Sequence, residues 1–162
     1  MAIIKELKNK KGISIIEILV VVAIISIALT SLLGITSFSL KILSSIKKIT
    51  YANSLAQEMI EATRAFRDET DWDIDGLGTL TEGLDYYPQE AGSPLEWQLV
   101  QDVEVINGFT RRIVFEGVTR DLNDNIVEAG GVSDLYTKKI TATVSWDDEE
   151  IEIFTYLAHW RE

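Results

Sequence analysis

The sequence predicts an α+β chain: a long N-terminal helix, membrane-spanning in its first half, packed on a roughly four-stranded antiparallel sheet. Three observations carry that prediction. Ile18–Leu40 is a run of 23 residues without a charge. The stretch from there to Glu69 keeps apolar residues at three- and four-residue steps and holds no Gly or Pro. Beyond it, apolar and polar residues alternate between turn signals, the pattern of half-buried strands.

Charge divides the chain in the same places. The 162 residues carry 15 Lys+Arg and 26 Asp+Glu, a net charge of −11. Residues 1–12 are +3, residues 13–40 hold Glu17 alone, residues 41–67 are +3, and residues 68–162 are −16. A hydrophobic fraction of 46% argues for one folded domain rather than a disordered chain. The acidity excludes a sequence-independent grip on nucleic acid, which needs cations against phosphate, so no direct nucleic-acid binding is expected. With no cysteine there is neither a disulfide nor thiolate chemistry.

Taken in order, residues 1–12 form a leader with Lys5, Lys8, Lys10 and Lys11. The uncharged run follows, within residues 13–40. As a helix it reaches roughly 34 Å, enough to cross a hydrocarbon core. A secretory signal peptide would carry a shorter apolar region, of about 7–15 residues, and a small-residue cleavage site. Glu17 stands out at the start of the run. A carboxylate there costs about 2–3 kcal/mol on permissive insertion scales. Spacing alone leaves two readings: a side chain that snorkels to the interface, or a functional carboxylate.

Residues 41–69 continue as an amphipathic helix. Ile42, Ile46, Ile49, Asn53, Ala56, Met59 or Ile60, Thr63 and Phe66 make the stripe, widened by Leu43, Ala52 and Leu55. Its second half is the seam on which a globular head packs. Lys41, Lys47 and Lys48 lie just beyond the span, within reach of lipid headgroups or of acidic patches on partners.

Residues 70–162 make an acidic, mostly antiparallel β head. Leu95–Ile106, then Asn107-Gly108, then Phe109–Arg120 read as a hairpin, Asn-Gly being its strongest short signal. A loop with Gly130-Gly131 fills Asp121–Asp134. In Leu135–Trp146, Ile140, Ala142, Val144 and Trp146 share one face. Asp147-Asp148-Glu149 turns the chain into Ile151–Trp160, with Ile151, Ile153 and Leu157 on one face. Four strands on an amphipathic helix complete the α+β arrangement.

Two loops are rich in oxygen donors. Asp71, Asp73, Asp75, Gly76 and Glu82 have the spacing of an EF-hand calcium loop, in which alternate oxygens converge on a hard cation. Against it, Gly78 replaces a branched apolar residue, and Gly83 and Pro88 stand where an exiting helix belongs. The plainer reading is a solvated loop that caps the long helix. Asp121, Asn123, Asn125 and Glu128, with Asp124 between them, form the second loop, which Asx turns also explain. No cofactor is required by any motif, and calcium is the cation these loops are spaced to take. His159 stands alone, and no nucleophile–base set, phosphate loop or paired-His motif occurs, so no enzyme is expected.

Gly12-Ile13-Ser14-Ile15-Ile16-Glu17, after a Lys-rich leader and before a long apolar helix, resembles the prepilin signature of type IV pilins and of the pseudopilins of secretion and DNA-uptake machines. The resemblance implies that a prepilin peptidase on the cytoplasmic face cuts after Gly12 and methylates the new terminus at Ile13. Most members begin the mature chain with Phe where this one has Ile13, and many carry Pro near Gly34. It implies that Glu17 pairs with the Ile13 amine of a neighbouring subunit during assembly, and that the first half of the helix packs against other subunits. The head also looks like that of pilins. Arg64, Arg67 and Trp72 at the helix end, Phe109-Thr110-Arg111 and Val144-Ser145-Trp146 are similar to minor pilins and pseudopilins of the V/I/J type.

The expected function is therefore a structural, minor subunit of a type IV pilus or of a secretion or competence pseudopilus. It would sit in a prokaryotic cytoplasmic membrane by one span, head outside the cytoplasm, and then enter a surface or periplasmic filament. Its partners would be the peptidase, other subunits, and membrane lipid before assembly. The rival is a single-span anchored binding module whose acidic head takes calcium or a basic ligand. The two part at Gly12, because a plain anchor keeps residues 1–12.

Overall fold

A computed structural model describes Gly12 and residues 14–159. The leader ahead of Gly12, Ile13, and the end of the last predicted strand at Trp160 lie outside the described residues. The chain forms two compact units that divide between Ile46 and Lys47.

In the first unit the helix α1 (Ile15–Glu69) begins, and every side chain from Ile15 to Ile46 is exposed. The uncharged run thus forms helix without burying any of its apolar surface. Ser14 precedes the helix, and its carbonyl accepts the Glu17 N–H (3.0 Å) and the Ile18 N–H (3.3 Å).

In the second unit the same helix changes character. Ala52, Leu55, Ala56, Met59, Ile60, Ala62, Thr63 and Phe66 are buried; of the stripe read from the sequence, Asn53 is only half-buried and Ile49 exposed, and Ala62 is added. Thr63 is wholly buried, and its hydroxyl donates to the Met59 carbonyl (2.8 Å). Such a back-bond removes the cost of an orphaned hydroxyl in a core. Ala52, Leu55, Ala56, Met59, Ile60 and Phe66 form one core with Ile113, Phe115, Ile140, Ala142, Val144 and Trp146 of the sheet.

The sheet has seven strands rather than about four: β1 (Asp85–Ala91), β2 (Glu96–Val100), β3 (Glu104–Ile106), β4 (Phe109–Arg120), β5 (Ile126–Val127), β6 (Val132–Trp146) and β7 (Glu149–Ala158). Its order is β2-β1-β4-β6-β7, with β3 and β5 also paired to β4, all antiparallel. The class stands and the strand count is corrected.

Three local reasons explain the extra strands. The predicted strand Leu95–Ile106 splits: β2 pairs with β1, whereas β3 pairs with the start of β4. β1 itself carries Pro88, a residue that argues against a central strand. It is tolerated because β1 meets β4 only at Asp85 and Tyr86, ahead of the proline. The loop after Arg120 folds back far enough for Ile126 and Val127 to pair with Arg120 and Thr119. The Asn107-Gly108 hairpin is present, joining β3 to β4. Both turn residues have positive φ (52° and 84°), the requirement of a type I′ turn.

Ion pairs close the second unit. Arg111, 5% exposed, reaches Glu58 of α1 (2.8 Å) and Glu104 of β3 (2.7 Å). Burial alone would lower its pKa, but hydrogen bonds and charge from Glu58 and Glu104 carry it above the ordinary arginine value. Arg120 holds Asp134 (2.7 Å), and Lys138 pairs with Glu82.

Candidate functional site

The sequence places the chemistry of this chain at the start of α1. Gly12 is exposed, and a Cβ added there would meet nothing within 4 Å. Packing among the described residues therefore does not demand glycine at that position. Ile13 lies outside the described residues. Glu17 is exposed and sits in the first turn of α1, two residues past Ile15. The helix dipole favours a negative charge at that end, which offsets part of its membrane cost. Ser14 and Glu17 also have the Ser-x-x-Glu spacing of a capping box, a local signal that marks where the helix begins.

Below Glu17 the helix makes itself compatible with lipid. The hydroxyls of Ser26, Thr30, Ser31 and Thr36 donate to the carbonyls of Val22, Ser26, Ile27 and Leu32, at 2.7–3.0 Å. In hydrocarbon an unpaired hydroxyl is costly, and these four are satisfied within their own helix. The sequence reading noted Thr30 and Ser31 only as neighbours of Gly34 and passed over Ser26 and Thr36. Their signal was a polar group at an interior position of an apolar helix.

The family model of the prokaryotic N-terminal methylation motif matches residues 7–33. The chain carries the type IV pilin-type N-terminal motif. The matched residues contain Gly12, Ile13 and Glu17, so the expected site lies wholly inside the pilin-type segment. No curated protein and no solved structure matches the chain. The motif supports a pilin-like precursor, and the helix it opens is long and apolar enough to span a membrane.

The two oxygen-rich loops have geometries of their own. After α1, the Asp75 carboxylate accepts the Asp71 N–H (2.8 Å), and the Asp71 carboxylate accepts the Asp73 N–H (3.1 Å). A Cβ on Gly76 would lie 2.6 Å from the Asp71 carbonyl, and one on Gly78 would lie 2.5 Å from the Trp72 carbonyl. Close packing of the loop on itself thus demands both glycines. Glu82 does not join Asp71, Asp73 and Asp75; it pairs with Lys138. In the second loop Asp121 accepts the N–H groups of Asn123 (2.8 Å) and Asn125 (2.9 Å), an Asx turn. Hydrogen bonds from Asn125, then Asn123, lower the Asp121 pKa. Glu128 instead lines a groove with Lys139 and Phe154. Among the described residues, no three or more His, Cys, Asp or Glu side chains gather as a metal-holding group.

Proposed function

We propose that this chain is a minor structural subunit of a type IV pilus or of a secretion or competence pseudopilus. The observation that carries the reading is the pilin-type motif at residues 7–33, running straight into a helix whose only carboxylate before residue 58 is Glu17. In this reading a prepilin peptidase cuts after Gly12 and methylates Ile13. The exposed apolar face of residues 15–46 rests in lipid as a single-pass anchor, with the head outside the cytoplasm. It then exchanges lipid for the helices of other subunits. The amine freed at Ile13 and the Glu17 carboxylate of a neighbour form a pair of opposite charges in an apolar setting. Such a pair offsets the burial of each charge and favours one axial register. The likeness of Arg64, Arg67, Trp72 and the Phe109–Arg111 and Val144–Trp146 segments to V/I/J-type pseudopilins supports the minor role.

The mass of the purified N-terminus tests processing. A chain that begins at methylated Ile13 supports the reading. An intact residue 1–12 leader in cells with an active peptidase overturns it and favours an anchored binding module. Glu17→Ala tests assembly separately. It leaves membrane insertion and cleavage unchanged and reduces incorporation into filaments by at least tenfold, about 1.4 kcal/mol. Normal incorporation of that variant would remove Glu17 from the mechanism.

A further inference from the structure

A groove of about 570 Å³ opens on the head between β5 and β7, on the sheet face turned away from the core. Its residues follow from strand register. Glu116, Lys139 and Tyr156 form one row across β4, β6 and β7. Phe154 lies in the next row, and Glu128 follows β5. The β4–β6 register shifts between Gly117 and Val118, and both residues line the groove.

Two of its features are unusual for a solvated sheet face. Phe154 is 62% exposed and Tyr156 41% exposed, and their rings meet edge to face at 6.1 Å. The charge is also unbalanced. Lys139 Nζ is held by Glu116 at 2.9 Å and stands 5.8 Å from the centre of the Phe154 ring. The hydrogen bond to Glu116 raises the Lys139 pKa, and the charge of Glu128 adds to that effect. Once Lys139 and Glu116 cancel, Glu128 leaves the groove with one negative charge.

We propose that this groove receives an arginine side chain presented by a partner protein. Charge complementarity selects a cation, and the exposed aromatic surface of Phe154 and Tyr156 selects a flat one. Lys139 already stands over Phe154 and the two rings are nearly perpendicular, so a guanidinium stacks on Tyr156, meets Phe154 at its edge and turns its N–H groups toward Glu128, a combination a point-like ammonium cannot match. Its volume also suits a single side chain with its flanking backbone rather than a broad apolar interface. The proposal is independent of which filament the subunit serves.

The test uses the full chain in detergent micelles, followed by amide NMR during titration with arginine amide. Citrulline amide, its neutral isostere, is the parallel probe. Arginine amide is expected to shift amides in residues 116–119, 126–128 and 154–156, with citrulline amide leaving them in place. Phe154→Ala and Glu128→Gln are each expected to weaken the effect about threefold, the size of one exposed cation–π or ionic contact. Both side chains are exposed, so neither variant disturbs the core. Three outcomes overturn the proposal: no shift of these amides with arginine amide, equal shifts with citrulline amide, or shifts spread over the acidic surface and indifferent to both variants.

Discussion

α1 is one helix in two solvents. From Ile15 to Ile46 every residue is exposed, although most are apolar; from Ala52 to Phe66 eight residues are buried. Backbone hydrogen bonding is the same in both, so the difference lies in what the side chains meet. In the second part the apolar stripe is narrow and already has its partner, the inward face of the sheet. In the first part apolar residues cover every side, and no single protein surface could cover them all. A helix of that kind needs lipid or a ring of other helices, and the pilin-type motif at its start is consistent with both in turn.

Matched truncations in the two parts should break that symmetry most sharply. Phe115 is fully buried against the core that α1 completes, and Leu29 is 56% exposed in the other unit. Phe115→Ala is expected to destabilise the head by about 3–5 kcal/mol, the usual cost of removing a buried aromatic ring. Leu29→Ala should leave the head's urea midpoint unchanged. All four tryptophans lie at or beyond residue 72, so tryptophan fluorescence of the full chain in micelles reads the head alone. A loss of head stability in Leu29→Ala similar to that in Phe115→Ala would show that the two parts do not have separate solvents.

Much of this contrast was legible in the sequence, because the first half of α1 is apolar without a period and the second half follows one. The charge-free run is long enough to set that part of the helix apart, and the stripe through Ala56, Thr63 and Phe66 and the alternation of Ile140, Ala142, Val144 and Trp146 repeat often enough to fix a face. The Asn107-Gly108 turn was legible for a chemical reason, since few residue pairs accept two positive φ angles. β1 was not, because Asp85-Tyr86-Tyr87-Pro88 mixes acid and proline in a strand whose pairing partner changes midway. The break between β2 and β3 was hidden because Leu99, Val100, Val103 and Val105 read as one apolar run, while pairing is decided by distant strands. The pilin-type motif that holds Gly12, Ile13 and Glu17 was legible because a peptide motif is local. The EF-hand-like spacing of Asp71–Glu82 showed the opposite limit: spacing did not reveal that Glu82 turns to Lys138 or that Gly76 and Gly78 answer to packing.

A smaller effect tests what fastens the helix to the sheet in the second part. Arg111 links α1 to the β3–β4 hairpin through Glu58 and Glu104. Its own side chain is 6% exposed, but Glu58 is 50% and Glu104 32% exposed, so the two carboxylates rehydrate when the cation is lost. Arg111→Met is therefore expected to cost about 1–3 kcal/mol, below the usual figure for breaking a fully buried pair. Glu58→Gln, which leaves Glu104 in place, should cost less, about 1 kcal/mol or under. Urea midpoints at low and high salt check both. An Arg111→Met chain as stable as the parent would mean that apolar packing alone seats the helix.

The smallest effect lies at the far end of β4, where no helix residue takes part. Burial alone would raise the Asp134 pKa. Hydrogen bonds from Thr137, Arg120 and the Tyr136 N–H, with the Arg120 charge, prevail and hold it below 3.8. A carboxylate whose folded pKa is depressed contributes stability that is fully present above its unfolded value. That contribution is lost as pH falls through the folded one. Asp121 is shifted in the same direction. Arg111, Arg120 and Lys139 are raised from values of 10.5 or more, so their contributions are complete at any acidic or neutral pH. The head should then lose stability below about pH 4 through these two aspartates, with no change from this set between pH 5 and 8. Asp134→Asn should lower the urea midpoint at pH 6 and flatten its decline from pH 4 to pH 2. Equal slopes in parent and variant would place the acid sensitivity on other carboxylates, and the Arg120–Asp134 pair would then be a contact without consequence for stability.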